Sequence, residues 1–330
     1  MLYHRNVCWC VSQLYKFLSV PNNVECKNKV KKFLMVIVKI MGGIASQLHK
    51  YAVGRAVSLK YSMPLFLDLS WFESTPESDT VREFRLNEFS THYEIATNDQ
   101  IELLTGSRHL LRLKGLLLNR FGINLHKNSY VAMAPWNLPQ SEDVKNGIYL
   151  AGEWVGDKYF FEIKDILVNE FKPSGRFCDT AKQYLQEIHQ SQSVAIHVRR
   201  GDYVNNIKAA KFHSLCDKKY YDSAIELINA KCKQAKLFLF SDEKSEALKI
   251  MRGYQDVTVI EGVSDVEEFY LMSQCKHNVC ANSGFSYLAA WIGTGLNKVV
   301  ISPKKWVNDP ICNLQMFENL CRKDWIYLDN

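Results

Sequence analysis

The sequence predicts an α/β protein with parallel sheets, divided into two domains. Three observations lead there. Apolar runs of strand length alternate with helical periodicities from residue 35 onward, glycine-bearing turns follow several of those runs, and 330 residues exceed what one hydrophobic core usually sustains. A composition of 47% hydrophobic and 23% charged residues excludes a disordered or fibrous chain.

The first run, Met-Val-Ile-Val-Lys-Ile at 35–40, reads as a buried strand and leads into Gly42-Gly43. Leu48, Ala52, Ala56 and Leu59 then recur at helical spacing, and 64–69 reads as a second strand. Weaker helical segments follow over 98–120, then a strand over 147–152 and an amphipathic helix over 157–171. Pro173-Ser174-Gly175 breaks that helix and is the expected linker, giving an N-terminal α/β domain over 35–175 and a C-terminal one over 176–330. Beyond it, strands are expected at 194–198, 236–240, 257–260, 277–280 and 298–301, with helices at 218–232, 243–252, 265–275 and 285–292.

The formal charge of +6 is unevenly placed. Residues 1–34 hold six basic side chains against Glu25 alone, so the body beyond them is nearly neutral. A neutral body lacks the basic stripe that a nucleic-acid partner requires. Residues 1–34 are expected to be a dispensable basic extension; the competing reading is an arm that touches an anionic membrane. The apolar stretch 7–20 is too short to span a bilayer and no small-x-small cleavage site follows it, so neither a membrane span nor a secretory signal is expected. The ten cysteines show no zinc-ligand spacing and are expected to be reduced thiols of a cytoplasmic protein.

In open parallel sheets, ligands bind beyond the carboxyl ends of the strands, and four such positions stand out. In Ile196-His197-Val198-Arg199-Arg200-Gly201-Asp202-Tyr203 a strand ends in two arginines, a glycine and an acid; guanidinium forks chelate phosphate, although the same residues also suit a structural ion-pair network. In Phe240-Ser241-Asp242-Glu243 an acid at a strand end can accept hydrogen bonds from a base or sugar, or can cap the next helix. Cys280 to Ser286, with Asn282 and Ser283, runs from a strand into a helix N-terminus whose free amides suit a diphosphate, or is simply capped there. Gly42-Gly43 permits close ligand approach.

Taken together, these segments resemble the alpha-1,2-fucosyltransferases of glycosyltransferase family 11, bacterial type. The match is carried by His197 to Val204, by Gly42-Gly43 with Gln47 and Tyr51-Ala52, and by Gly152 with Lys158-Tyr159-Phe160. It continues through His213, Cys216, Tyr220-Tyr221, Phe240-Ser241-Asp242, Ala281-Asn282-Ser283, Phe285-Ser286, Ala289-Ala290-Trp291, Pro303-Lys304 and Trp306, in order, over about 35–306. The resemblance implies a GT-B-like enzyme of two Rossmann-like domains, acceptor-side first and GDP-fucose-binding second. It implies inverting, metal-independent transfer of fucose from GDP-fucose to the 2-hydroxyl of a terminal galactose, without a cofactor. The absence of an Asp-x-Asp pair agrees with arginine in the cationic role. The setting implied is cytoplasmic, peripheral at the inner membrane, with a galactose-terminated, lipid-linked oligosaccharide as acceptor in O-antigen assembly.

On this reading Arg199, Asp202 and His213 are the candidate catalytic residues, His213 as proton acceptor or as a structural loop histidine. Gly42, Gly43, Gln47, His197, Arg200, Asp242, Asn282, Ser283 and Ser286 are the candidate substrate-binding set, and no metal ligand is expected. Adjacent residues at a strand end point to opposite sides, so the two arginines are not expected to face the phosphates equally; the resemblance favours Arg199 there, with Arg200 orienting the loop through Asp202. The chain departs from the family at Ala45-Ser46, where Gly-Asn is usual, at Gly284, where Thr or Ser is usual, and at Tyr287-Leu288, where a Trp pair is usual. A nodulation-type or protein-O-fucosylating transferase, or a degenerate non-catalytic binding protein, are the rival readings.

Overall fold

A computed structural model of the chain describes residues 34–73, 81–106, 130–132 and 147–330, without the side chains of 130–132, Asp202, Asn205 and Lys208. The extension 1–33, most of the segment expected to be helical beyond 106, and the Asp202 side chain lie outside the described residues.

The first sheet holds β1 (Val36–Lys39), β2 (Leu65–Asp68), β3 (Glu94–Ile95), β4 (Tyr130–Ala132) and β5 (Ile148–Leu150), in the order β3-β2-β1-β5-β4. All its pairings are parallel. Helix α1 (Ile44–Tyr61) crosses from β1 to β2, with α2 (Ser70–Glu73) and α3 (Asn98–Thr105) after it. The second sheet takes the order β11-β10-β9-β6-β7-β8 from β6 (Gln192–Val198), β7 (Ala235–Ser241), β8 (Val257–Val259), β9 (His277–Val279), β10 (Val300–Pro303) and β11 (Ile326–Leu328). It too is parallel throughout. Helix α4 (Lys164–Glu170) follows β5, and its Glu170 bonds Tyr51 and Arg55 of α1. The helices of the second sheet are α5 (Asp179–Gln190) before β6, then α6 (Gly201–Asn205), α7 (Ile207–Phe212), α8 (Lys218–Lys231), α9 (Lys244–Ile250), α10 (Asp265–Gln274), α11 (Gly284–Ile292) and α12 (Pro310–Leu320). Two parallel α/β sheets in succession are the two-lobed, GT-B-like architecture the sequence predicts.

The strands read as unbroken apolar runs because helices cover both faces. Val36, Ile37 and Val38 of β1 and Ala195, Ile196 and Val198 of β6 are buried. One apolar core continues from lobe to lobe. Phe160 meets Trp291 edge-on with ring centroids 5.2 Å apart, and Phe89 meets Phe269 at 6.0 Å. Buried Asp157 accepts a 2.7 Å bond from the Tyr287 hydroxyl and pairs with Arg322, which accounts for tyrosine at 287.

The expected helix over 157–171 is broken. Two short 3-10 turns, Asp157–Tyr159 and Phe161–Ile163, precede α4. Phe160, at φ −140° and ψ 15°, leaves the helical region because its ring is drawn against Trp291, so tertiary packing overrides the helical pattern. The sequence reading also omits the short helices α2, α6 and α7 and the edge strands β3, β4 and β11, which are too short to carry a period, and it misses α5 and α12, although Ala181, Leu185 and Ile188 do recur at helical spacing along α5. Among the described residues every cysteine is a free thiol and no helix is long and apolar enough to cross a membrane.

Candidate active site

The carboxyl ends of β1 and β5 and those of β6 and β7 open onto one cleft of about 750 Å³. On the first lobe its wall is the turn after β1. Gly42 stands at φ +79°, which favours glycine, and Gly43 precedes α1 and lines the cleft. Gln47 is fully buried beneath them. Its Nε2 donates to the Gly42 and Glu83 carbonyls at 2.9 and 2.8 Å, and its Oε1 accepts from the Arg85 amide at 2.9 Å. Gln47 thus fastens the glycine turn to residues 83–85 rather than facing a ligand.

On the second lobe, β6 delivers His197 and Arg199 into the cleft. Arg199 Nη1 lies 3.1 Å from Asp242 Oδ2, and its guanidinium stands 5.4 Å above the Tyr203 ring. Arg200 does not line the cleft. Its Nη2 donates to the Cys216 carbonyl at 2.6 Å and its Nη1 to the Arg199 carbonyl at 3.1 Å, so its fork is engaged by backbone. The divergence expected of adjacent strand-end residues is present, and Arg200, expected with the substrate-binding residues, belongs to the support of the following loop. Asp242 braces the turn with its second oxygen, which accepts from the Arg200 amide at 2.9 Å. Gly201 allows this approach: a Cβ there would meet Asp242 Oδ2 at 2.2 Å.

Asn282, Ser283 and Gly284 line the cleft where β9 leads into α11. Ser283 caps α11, its Oγ accepting from the Phe285 amide at 3.3 Å. Asn282 is buried and donates to the Trp306 carbonyl at 3.0 Å, and Ser286 is buried inside the first turn, donating to the Ala281 and Ser283 carbonyls. Both fix the loop. His213 lines the cleft with its ring stacked on Tyr203, centroids 3.9 Å apart and planes 4° from parallel. Burial, reinforced by the neighbouring Arg199 charge, pulls the His197 imidazole down to about 3, so it is neutral; its Nδ1 has no partner among the described residues.

Several cleft residues carry no motif and escaped sequence reasoning. His49 donates from Nδ1 to the Ala45 carbonyl at 2.8 Å, and burial lowers it to about 4. A Cβ at Gly284 would lie 3.5 Å from His49 Cε1, so the missing side chain at 284 is matched by an imidazole from the other lobe. Lys50 is buried, with Nζ 2.5 Å from Glu153 Oε2 and 3.1 Å from Ser46 Oγ. Glu268 lines the second lobe, where burial first, then Asp265 and Asp242, push its carboxyl up to about 7 against the pull of Lys244. The available signals were the i, i+3, i+4 spacing of Ser46, His49 and Lys50 along α1, and the position of Glu153 just past β5. Among the described residues no group of three or more His, Cys, Asp or Glu side chains is placed to hold a metal ion.

Residues 123–329 match the sequence profile of Glycosyl transferase family 11. An alpha-1,2-colitosyltransferase of Escherichia coli is 27% identical over 299 residues, spanning 89% of this chain and 99% of its own. The O-antigen biosynthesis glycosyltransferase WbnK of Escherichia coli is 29% identical over 283 residues, 81% of this chain and 93% of its own. Among solved structures, the fucosyltransferase NodZ from Bradyrhizobium is similar at a TM-score of 0.43 and 13% identity, covering 78% of this chain and 92% of that one.

Proposed function

The chain belongs to glycosyltransferase family 11, and from that premise we propose that it transfers L-fucose from GDP-fucose to the 2-hydroxyl of a terminal galactose, with inversion and without a metal ion. The first lobe takes the acceptor and the second takes the donor. The observation that carries the reading is Arg199, delivered by the end of β6 into a cleft it shares with the N-terminus of α11. As the bond from the anomeric carbon to the diphosphate breaks, negative charge grows on the leaving GDP. A guanidinium fork and the N-terminal end of a helix already in place stabilise that charge without reorganising. Asp242 and the neutral imidazole of His197 stand beside Arg199 as partners for the nucleoside.

The acceptor is a galactose-terminated glycan of the O-antigen kind, in keeping with WbnK being an O-antigen biosynthesis glycosyltransferase. The reading places the enzyme in the cytoplasm, peripheral at the inner membrane, acting on a lipid-linked oligosaccharide. A second reading has one specific support: the alpha-1,2-colitosyltransferase covers nearly its whole length on this chain, which makes colitose the alternative transferred sugar.

The test is GDP release on mixing the protein with GDP-fucose or GDP-colitose and a panel of galactosides, with product linkage assigned by NMR. An alpha-1,2-fucosylated galactoside is expected. Faster release from GDP-colitose would transfer the assignment to that donor, and no release with either would leave a binding protein without this chemistry.

A further inference from the structure

In an inverting transfer the attacking hydroxyl and the departing phosphate lie on opposite faces of the anomeric carbon. The group that takes the hydroxyl proton therefore stands across the cleft from the diphosphate. This inference rests on the reading above, which sets the diphosphate against Arg199 and α11 on the second lobe. His213, the proton acceptor suggested by the sequence, is stacked flat on Tyr203 on that same lobe. Glu268 also stands there, beside Asp242. The facing wall has its own carboxylates. Glu83 is 3.6 Å from Arg85 and its side chain is 84% exposed, so it is held loosely.

Glu153 differs. It lies just past the carboxyl end of β5, the strand that pairs with β1 and so stands next to the Gly42-Gly43 turn in the sheet. Its side chain is 58% exposed to the cleft, whereas its partner Lys50 is only 2% exposed. Lys50 Nζ grips Oε2 at 2.5 Å and Ser46 Oγ at 3.1 Å. A lysine drawn that far out of water is costly, and a buried ion pair is weak stabilisation, so the pair is better understood by what it fixes than by what it adds to folding. It fixes one carboxylate oxygen and leaves the other without a protein hydrogen bond among the described residues, on a side chain that lines the cleft.

The geometry points to Glu153 as the proton acceptor of the transfer, with Lys50 as its positioning residue. The acceptor oxygen bonds to the anomeric carbon as the bond from that carbon to the β-phosphate oxygen breaks, its electron pair leaving with GDP. The hydroxyl proton passes to the free Glu153 oxygen and is later lost to solvent. Removal of a positioned general base costs typically 100- to 10,000-fold in rate.

The experiment compares kcat, the KM for each substrate and GDP affinity for wild type, Glu153→Gln, Glu153→Ala and Glu268→Gln. Glu153→Gln keeps the shape and most of the polarity but cannot take a proton, so kcat should fall at least about 100-fold while GDP affinity stays within about twofold of wild type. Sodium formate should restore part of the turnover of Glu153→Ala, a response that a merely structural glutamate would not give. Wild-type kcat in Glu153→Gln, a loss confined to acceptor KM, or a comparable fall of kcat in Glu268→Gln with Glu153→Ala not rescued by formate would overturn the assignment. Wild type that transfers neither sugar refutes the functional reading itself, and so is distinguishable from failure of the role of Glu153.

Discussion

Replacing Arg199 separates catalysis from folding with one residue. The Arg199–Asp242 pair is partly open to water, at 23% and 24% side-chain exposure, so losing it should cost at most about 1 kcal/mol of stability after solvent screening. Asp242 still accepts from the Arg200 amide, and the contact with Tyr203 adds about 0.5–1 kcal/mol at such a site. A melting shift of only a few degrees follows for a chain of this size. The effect on the reaction is larger. If the guanidinium tightens its grip as charge builds on the departing diphosphate, Arg199→Ala loses roughly 100- to 1000-fold in turnover, about 2.7–4 kcal/mol. Arg199→Lys should fail almost as badly, because an ammonium keeps the charge and loses the fork. Steady-state turnover, GDP affinity by calorimetry and melting temperature are measured on the same preparations. An Arg199→Ala protein with wild-type turnover would refute the role, and one that unfolds instead would show that the Asp242 pairing had been valued too low.

Three further outcomes are expected. EDTA should leave transfer intact if, as proposed, arginine and helix amides supply the positive charge; complete loss restored by manganese would reverse the metal-independent assignment. Deleting residues 1–34 should leave melting and turnover unchanged, because the buried apolar run begins at Met35, whose carbonyl accepts from the Ile148 amide at 2.9 Å; a large fall in either would make the arm part of the fold. The Glu268 carboxyl is raised from its ordinary 4.5 to about 7, so the fold favours its neutral form. Its contribution to stability is whole below the ordinary carboxylate range and lost as pH rises through about 7, and GDP should bind more tightly at about pH 6 than at about pH 8. Calorimetry on Glu268→Gln should show that pH dependence flattened, and an unchanged slope would assign it elsewhere.

The parts of the site legible in the sequence are those where backbone geometry and chemistry coincide. Arg199 was legible because a strand ends there: the strand end fixes where the side chain is and that its neighbour diverges from it, and the family resemblance chose between the two. Gly201 is explained only by the structure: the glycine is required by the approach of Asp242, a residue 41 positions away. Gln47, Asn282 and Ser286 were recognisable as motif residues, yet their polar groups are spent on backbone carbonyls and amides, a distinction that spacing cannot make. His49, Lys50 and Glu153 were illegible for the opposite reason. Each is ordinary in its local sequence, and their meaning comes from Gly284 or from one another across more than a hundred residues. The break at Phe160 was hidden likewise, since its cause is Trp291.

The shared core bears on how such enzymes diversify. Phe160 against Trp291, Tyr287 bonded to Asp157, and Arg322 reaching the same carboxylate mean that each half carries one side of a fitted seam. A crossover between relatives at the apparent linker, 173–175, would join seams that had not been selected together and leave Asp157 buried without its hydroxyl and guanidinium partners, a loss large enough to unfold a marginally stable chain. New specificities are therefore easier to reach by substitutions on the cleft walls, such as the histidine that meets Gly284, than by shuffling whole halves.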